Sequence, residues 1–440
     1  MKRTTLTLSS LLLAAVVQAA PSVYPTGVTR YDPAKAWNSY VIFSAADLQT
    51  RLIDMNGNVV RDWPYRGFPA AVIDPAANNG RRGDVLLQTA DTEKKDPRAM
   101  GNGLNNQAIG VLDWNGKKHW EWSQQAPDGA ARQHHDWQRL ANGNTLLLSN
   151  KLHKIPGFAL EQSIDDVIYE VDGNGKVVWQ WLASEHLNEF GFTEEQLKLV
   201  RGTDHADVLH LNNLKALGPN AWYDKGDKRF HPDNLIIDSR EANFIAIIDK
   251  PTGKVVWSLG PNYPKLDARN STLPRPVDQL SGQHDANLIA KGLPGAGNIL
   301  VFDNQGSAGY PPVNGALFNG SRVLEIDPIS KQIVWEYNAL KSGQPSWAFN
   351  SSFISSARRL PNGNTLIAEG MNGRFFQVTP AGEIVWEYVN PYLGDAPGSK
   401  AQSNWSYRAT PVPYDWVPAG TPRSERAVVP PALINLQVAK

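Results

Sequence analysis

A short unit of two strands and a tight turn recurs six times along this chain. In each copy an apolar strand ends in Asp or Thr, a tight turn follows, and the next strand contains a Trp. The copies span residues 52–63, 111–120, 169–179, 247–257, 324–335 and 376–386. Successive Trp residues of the repeat are 57, 59, 78, 78 and 51 positions apart. Repeats of this length that are built from short strands are typical of β-propellers and solenoids.

Two further strands are predicted ahead of this unit in each repeat. A Gly, Asn-Gly or Pro-Asp turn followed by an apolar run indicates a strand that leaves a hairpin turn. Such runs begin at Val85, Thr145, Leu235, Ile299 and Thr365. Earlier short strands are predicted at 136–140, 285–289 and 356–360. Four strands in each of six repeats predict an all-β, six-bladed β-propeller with four-stranded blades and long inserted loops. The recurring Trp side chains are predicted to pack between neighbouring blades.

Four insertions lengthen the repeats. Residues 185–202 are predicted to be helical, because Thr193-Glu194-Glu195-Gln196 has the pattern of a helix N-terminus. Further insertions are predicted at 213–229, 259–282 and 305–320. We predict one propeller domain over residues 20–415 and a Pro-rich C-terminal tail over 416–440. The segment 405–408 is predicted to supply the strand that closes the ring.

The first residues have the three parts of a secretory signal peptide. Lys2 and Arg3 are positively charged, and residues 6–17 form an apolar run that is too short to span a bilayer. Val17-Gln18-Ala19 has the pattern of a cleavage site. We therefore predict a signal peptide over residues 1–19, no membrane span, and a periplasmic or secreted protein. The sequence has no Cys, so we predict no disulfide, thiolate metal site or lipid-anchored cysteine.

The charge balance argues against nucleic acid as a partner. Lys plus Arg and Asp plus Glu each number 43, and no long run of one sign is present. A nucleic-acid-binding protein would be expected to carry a basic surface.

Three of the nine His residues are predicted to occupy one repeat-equivalent position. His135, His205 and His284 each precede a predicted first strand, and Ser355 takes that place in the last repeat. First strands line the channel of a propeller, so these three rings should converge near one mouth. His134 should face the other way, so that only one of the neighbouring pair reaches the channel. The other histidines are predicted to be surface or packing residues: His119, His153, His186, His210 and His231.

The end of the second strand is another repeat-equivalent position. It is occupied by Ala90, Asn150, Arg240, Asn304 and Gly370. Only Arg240 is charged there. A guanidinium group matches the oxyanions of sulfate, phosphate or carboxylate, so Arg240 is either an anion clamp or a surface arginine at a strand end.

Three His and one Arg are compatible with two chemistries. Three His side chains can hold Zn²⁺ with an open position. Alternatively, one His attacks a sulfuryl or phosphoryl group while the other His residues and Arg stabilise the charge. Arg240 favours the second, because a cation beside a metal ion is unfavourable unless the substrate is anionic. No Gly-x4-Gly-Lys phosphate loop is present to indicate a nucleotide sulfate donor.

Several motifs resemble those of the bacterial arylsulfotransferase family. They are 282–286 followed by 297–304, His134-His135-Asp136 before 142–144, and 236–240. The resemblance covers most of residues 30–415. It implies a six-bladed propeller that moves a sulfuryl group from an aryl sulfate ester to a phenol, independently of 3′-phosphoadenylyl sulfate. It further implies a ping-pong reaction through a sulfohistidine, a periplasmic location and no cofactor.

The resemblance also implies site residues. His284 would be the nucleophile, His205 and Arg240 would bind the sulfuryl oxygens and aid the leaving phenol, and His135 would complete the channel wall. His134 and Asn304 are the remaining expected substrate-binding residues. Familiar members carry an N-terminal β-domain and a Cys pair, so this chain is expected to be a short form. Two alternatives stay open: a propeller hydrolase or lyase with a His-bound metal, and a non-catalytic periplasmic binding or scaffold propeller.

Overall fold

Six antiparallel sheets surround a central axis in the computed structural model, as a six-bladed β-propeller, which confirms the predicted fold. The structure describes residues 25–90, 106–261, 280–310, 313–314, 320–396 and 399–430. The predicted signal peptide, residues 1–19, lies outside these residues, as does the end of the predicted tail.

Each blade has four strands, and their order runs from the channel outwards. Blade 1 contains Ser406–Val412, Tyr40–Ala45, Thr50–Ile53 and Val59–Trp63. Blade 2 contains Arg66–Val72, Val85–Gln88, Ile109–Leu112 and Lys118–Trp122. Blade 3 contains Trp137–Arg139, Thr145–His153, Ser163–Val171 and Val177–Leu182. Blade 4 contains Leu211–Ala216, Leu235–Ser239, Phe244–Ile248 and Val255–Leu259. Blade 5 contains His284–Leu288, Ile299–Asp303, Arg322–Asp327 and Gln332–Tyr337. Blade 6 contains Ser356–Arg359, Thr365–Glu369, Arg374–Val378 and Ile384–Val389.

Both ends of the described chain complete blades that lie side by side. Ser406–Val412 pairs with Tyr40–Ala45, so the inner strand of blade 1 comes from the far end of the sequence. This confirms the predicted closing strand. Gly27–Tyr31 adds a fifth strand to the outer edge of blade 6 by pairing with Ile384–Val389. The ring is therefore closed by backbone hydrogen bonds between distant parts of the chain.

The recurring Asp and Trp have separate structural roles. The Asp54 carboxylate accepts hydrogen bonds from the backbone of Asn56 at 2.9 Å and Asn58 at 3.0 Å, and so stabilises the tight turn. The Trp386 indole donates to the Met55 carbonyl at 2.8 Å and joins blade 6 to the turn of blade 1. Three other repeat Trp residues donate to the turn of the following blade: Trp179 to Lys250, Trp257 to Pro328 and Trp335 to Pro380. This confirms the predicted packing of Trp between blades.

Short helices and ladders lie in the connections. The α-helices are Glu194–Arg201, whose N-terminus is capped by Thr193 as predicted, and Ala221–Asp224. The 3₁₀ helices are Pro75–Ala77, Pro127–Gly129, Ala183–Glu189, Lys228–Phe230, Ala339–Ser342, Ser346–Ala348, Gly370–Asn372 and Tyr414–Trp416. The two-residue strands Ser307–Ala308 and Val313–Asn314 pair with each other, as do Gly394–Asp395 and Gln402–Ser403. The insertion predicted at 213–229 was placed too early, because Leu211–Ala216 is the inner strand of blade 4. Most of the insertion predicted at 259–282 lies outside the described residues.

A buried ion network crosses the channel. Arg408 of blade 1 lies 3.0 Å from Asp136 before blade 3 and 3.1 Å from Asp285 of blade 5. Lys215 of blade 4 lies 2.5 Å from Asp136, and Arg358 of blade 6 donates to Asp285 at 2.6 Å. Burial alone would raise the pKa of Asp136, but Lys215 and Arg408 hold it below its usual value. We call these five residues the ion network; it joins five blades across the axis.

Candidate functional site

Three histidines begin the inner strands of consecutive blades, or directly precede them. His135 lies two residues before the inner strand of blade 3, His210 directly precedes that of blade 4, and His284 opens that of blade 5. The backbone is left-handed at His135, with φ of 53°, and at His210, with φ of 51°. The His135 and His210 rings meet edge to face, with their centroids 4.5 Å apart. The three rings gather at one end of the channel, because His284 also lies within electrostatic range of His135 and His210.

The prediction that His205 opens an inner strand was wrong. His205 is exposed, and its Nδ1 lies 2.8 Å from the Asp207 carbonyl oxygen in the connection before blade 4. The strand begins at Leu211, so His210, which was predicted to be a surface or packing residue, takes the repeat-equivalent place. The sequence His205-Ala206-Asp207 imitates the true strand start at His284. Asn212 and Asn213 interrupt any apolar alternation after His210, so the strand that begins at Leu211 carries no clear local signal.

His284 is buried, and its hydrogen bonds select one tautomer of the ring. Its Nδ1 lies 2.9 Å from the Gly282 carbonyl oxygen and 2.8 Å from Asn304 Oδ1, so this nitrogen carries the proton. Its Nε2 accepts a hydrogen bond from the Ile354 backbone N–H at 3.1 Å. Burial, and then the charge of Arg240, hold the pKa of His284 well below its usual value. The ring is thus neutral, with its lone pair on Nε2.

Asn304 lies behind His284, away from the channel. It is fully buried, and its Nδ2 donates to the carbonyl oxygens of Ser351 at 2.6 Å and Ile354 at 2.7 Å. Because both ends of its amide are hydrogen-bonded to the protein, Asn304 is placed to orient His284 rather than to meet a substrate.

The sequence predicted that Arg240 is either an anion clamp or a surface arginine, and the structure places it beside His210. Its backbone N–H donates to the His210 carbonyl at 3.1 Å. One guanidinium nitrogen pairs with Glu241, while the buried Nε has no hydrogen-bond partner among the described residues. Burial lowers the pKa of Arg240, and Asp207 opposes this effect. A buried donor without a partner is suited to bind an anion.

His210 is paired with a carboxylate. Its Nδ1 lies 2.6 Å from Asp207 Oδ2, and its side chain is 17% exposed. Burial alone would raise the pKa of Asp207, but the charge and hydrogen bond of His210 hold it below its usual value. Within the part of the chain that the structure describes, no hydrogen bond occupies Nε2 of His210.

His134 lies behind His135. The two Nδ1 atoms are 2.8 Å apart, and His134 Nε2 lies 3.0 Å from the Ser149 carbonyl oxygen and 3.3 Å from Asp166 Oδ1. Burial lowers the pKa of His134 to about 4. His135, which contacts His210, is therefore the member of the pair that reaches the cluster, and His134 supports it.

The other half of this channel end is apolar. Phe68 stacks on Tyr407 with centroids 4.0 Å apart and lies 5.1 Å from the His135 ring. We call the following residues the apolar wall: Ala46, Phe68, Phe353, Ile354, Met371, Trp405 and Tyr407. Phe353 and Met371 are the partly exposed members of the wall. The residues of the apolar wall come from blades 1, 2 and 6 and lie opposite the histidines of blades 3, 4 and 5. The site therefore has a polar side and an apolar side.

The sequence left a His-bound metal open as an alternative and predicted no membrane span. The described residues contain no group of three or more His, Asp or Glu side chains arranged to hold a metal ion. The metal alternative draws no support from this part of the chain. No described helix is both long enough and apolar enough to cross a bilayer.

Several solved structures are similar to this chain at low sequence identity. Similar solved structures include a protein of unknown function from Bacteroides caccae, with 12% identity, a TM-score of 0.46, and coverage of 86% of this chain and 99% of that chain. Virginiamycin B lyase from Staphylococcus aureus has 12% identity, a TM-score of 0.38, and coverage of 86% and 91%. A streptogramin B lyase has 14% identity, a TM-score of 0.39, and coverage of 87% and 93%. These similarities carry no argument about function.

Comparison of the sequence with protein families identifies the family of this chain. No curated protein matches the chain. The sequence profile described as Arylsulfotransferase (ASST) matches residues 99–391, which is more than half of the chain and includes His135, His210, Arg240 and His284. The chain therefore belongs to the arylsulfotransferase family.

Proposed function

We propose that this protein moves a sulfuryl group from an aryl sulfate ester to a phenolic acceptor by a ping-pong reaction through a sulfohistidine at His284. The observation that carries the proposal is the state of His284, which is neutral, holds its proton on Nδ1 and lies within the electrostatic influence of Arg240. A neutral imidazole with its lone pair on Nε2 is the nucleophilic form.

In the first half-reaction, Nε2 of His284 attacks sulfur, and the bond between sulfur and the aryl oxygen breaks. The bonding electron pair leaves with the phenolate. The Ile354 N–H must move off Nε2 before this attack, because it occupies the lone pair. Arg240 offers its Nε to the sulfuryl oxygens, on which negative charge develops.

In the second half-reaction, the acceptor phenol gives its proton to solvent water and its oxygen attacks the same sulfur. The bond between Nε2 and sulfur breaks, and neutral His284 is regenerated. The aryl rings of donor and acceptor pack in turn against the apolar wall. His135 lines the site, with His134 behind it, and Asn304 holds the His284 tautomer. His205 is left out of this proposal because its ring lies in an exposed connection.

The proposed partners are small aryl sulfates and phenols, with no nucleotide donor and no bound metal. The proposed location is the periplasm or the exterior, which rests on the signal-peptide pattern of residues 1–19. A hydrolase or a non-catalytic propeller is the competing function, and neither explains why a buried neutral His faces an arginine with an unpartnered nitrogen.

The experiment incubates purified protein with 4-nitrophenyl sulfate carrying a labelled sulfuryl group, with and without phenol. We expect a burst of 4-nitrophenol, a labelled enzyme, and transfer of the label to phenol. His284→Ala should abolish both the burst and the labelled enzyme. Arg240→Lys keeps the charge but loses the planar fork, so the labelled enzyme should form about 10²–10³-fold more slowly. Full turnover should survive a chelator. Equal, mild losses in both variants would mean that the chemistry lies elsewhere.

A further inference from the structure

Arg132 is a buried cation that the proposed transfer does not use. It lies three residues before His135, in the connection that leads from the outer strand of blade 2 to the inner strand of blade 3. Only 8% of its surface is exposed. Buried charges in proteins are normally paired, because removing an unpaired ion from water is costly. An arginine in this position therefore needs a partner.

The described part of the protein holds no such partner. The Nε of Arg132 is buried and donates no hydrogen bond, and its guanidinium forms no ion pair with a described residue. Two other arginines that are at least as deeply buried, Arg374 and Arg408, each lie within ion-pair distance of two carboxylates. Arg132 is therefore an exception to the way this fold treats its buried arginines.

The backbone fixes the direction in which the Arg132 side chain leaves the chain. Its φ of 46° is left-handed, which is uncommon for a residue other than Gly. The preceding residue is held from two sides, because the Ala131 N–H donates to the Gln107 carbonyl at 3.0 Å and the Ala131 carbonyl accepts from Ser149 Oγ at 2.8 Å. Backbone conformations of this kind are commonly kept at functional sites.

The hydroxyl of Tyr169 lies within electrostatic range of this guanidinium. Tyr169 is on the third strand of blade 3 and meets Trp122 of blade 2 edge to face, with the ring centroids 5.8 Å apart. Burial, and then the charge of Asp128, raise the pKa of Tyr169, and the charge of Arg132 opposes this effect. These contacts place Arg132 at the interface between blades 2 and 3. Within the described ranges, the Tyr169 hydroxyl has no hydrogen-bond partner either.

The neighbouring segment carries a third donor without a partner. The backbone of Asn106 pairs with that of Gln133, the residue after Arg132, and the Asn106 Nδ2 is buried and donates no hydrogen bond. The carboxylate of Asp128 is exposed and forms no ion pair with Arg132. Buried donors without acceptors are suited to an anion, which accepts several hydrogen bonds at once.

We propose that Arg132 binds a small inorganic oxyanion, of the size and charge of sulfate, at the interface between blades 2 and 3, together with the Tyr169 hydroxyl. The planar fork of a guanidinium matches two oxygens of such an anion. The small exposed fraction of Arg132 leaves room for contact with a small ion but not with an aryl ring. The site is separate from Arg240, and the proposal does not rest on the proposed function.

Equilibrium dialysis with labelled inorganic sulfate, at constant chloride concentration, tests this proposal. Arg132→Met keeps an apolar stem but removes the charge, so the variant should bind one sulfate per chain fewer than the wild type. Arg139→Met is the matched control, because Arg139 also lies in blade 3 with a buried Nε, but its guanidinium donates to the Gly143 carbonyl at 2.6 Å. The control should bind as much sulfate as the wild type, including any that binds at Arg240.

Two further variants test the donor and the charge separately. Tyr169→Phe removes one hydrogen bond to the anion and should weaken sulfate binding at this site about 10–100-fold, and it serves if Arg132→Met does not fold. Asp128→Asn removes a nearby negative charge and should strengthen sulfate binding, by less than about tenfold at an exposed position. Sulfate binding of equal stoichiometry and affinity in the wild type, Arg132→Met and Tyr169→Phe would overturn the proposal.

The burst of 4-nitrophenol separates this site from the proposed transfer. It should be unchanged in Arg132→Met, because Arg132 does not contact the reacting groups. Loss of the burst in a folded Arg132→Met protein that still binds as much sulfate as the wild type would overturn the anion site and assign Arg132 to the transfer. Failure of the wild-type protein to form any labelled enzyme would overturn the proposed function and leave the anion site standing.

Discussion

Asn304 Oδ1 lies 2.8 Å from His284 Nδ1, and the other end of the same amide holds the carbonyl oxygens of Ser351 and Ile354. One side chain therefore orients the proposed nucleophile and anchors the segment whose N–H covers its Nε2. The neutral amide fixes the tautomer, and its tendency to raise the pKa of His284 is outweighed by burial and by the charge of Arg240.

Asn304→Asp should change the protonation of His284. The carboxylate keeps the acceptor for Nδ1–H but stabilises the charged ring, so the pKa of His284 should rise. We expect the rate of labelled-enzyme formation to fall on the acid side between about pH 5 and 8, where the wild-type rate stays level. Asn362→Asp, in an exposed turn of blade 6, adds the same charge away from the site. Identical pH profiles for wild type and Asn304→Asp would contradict the orienting role.

The wild-type nucleophile should stay active in acid. Burial and Arg240 hold the pKa of His284 well below its usual value, whereas an ordinary His is about 90% protonated one unit below its pKa of about 6.5. We expect the rate constant of the 4-nitrophenol burst to be the same at about pH 5.5 as at neutral pH. Rapidly quenched samples read at alkaline pH provide the measurement. A rate constant that falls tenfold would show that His284 titrates normally.

His134 should make the protein less stable in acid. Its folded pKa is about 4, and His in an unfolded chain titrates near 6.5, so the unfolded chain binds more protons between these values. The free energy of unfolding should therefore fall as pH falls through this window, by at most about 1.4 kcal/mol per pH unit for this residue. The raised pKa of Asp166 has the opposite effect on the pH dependence of stability. The contribution of His134 is therefore measured as the difference between the wild type and a His134 variant.

His134→Asn removes this contribution. Urea unfolding at a series of pH values should give a shallower dependence for the variant than for the wild type between about pH 6.5 and 4. His231→Asn, at an exposed ring, controls for the substitution. Parallel curves for wild type and His134→Asn would show that His134 does not titrate differently on unfolding.

The ring of blades could be predicted because its signals are local. Each Asp stabilises a turn within four residues of itself. Five of the six repeat Trp residues pair with the residue two positions before the Asp or Thr of the turn. The position of His210 could not be read in this way. Its place is set by the pairing of Leu211 with Ser239 and by the contact with Asp166, while His205 imitates the motif nearby.

Other parts of the site depend on residues far apart in sequence. Asn304 was expected to bind substrate, but its orientation is decided by Ser351 and Ile354, which arrive from the start of the next blade. The apolar wall has no shared motif, because its members come from three blades. Only the closed ring brings them together.

The ion network should contribute strongly to stability. Arg408→Leu leaves Asp136 and Asp285 buried with one cation fewer each, and breaking a buried pair in this way typically costs about 3–5 kcal/mol. Urea unfolding should show this loss. Lys291→Met, which breaks an exposed pair with Asp224, should cost less than about 1 kcal/mol. Equal losses in the two variants would mean that the network across the axis does not hold the blades.

The apolar wall should determine the affinity for aryl groups. Phe353 is a partly exposed member of the wall, next in sequence to the residue whose N–H covers His284. Phe353→Ala removes apolar surface from the aryl ring, and a loss of about 1.4 kcal/mol corresponds to a tenfold weaker interaction. We expect the KM for 4-nitrophenyl sulfate to rise about tenfold, with little change in the maximal rate of labelled-enzyme formation. Trp347→Ala controls for loss of an aromatic ring, because Trp347 is 74% exposed and lies outside the wall. A fall in the maximal rate with unchanged KM would place Phe353 in the chemistry of His284 instead of in aryl binding.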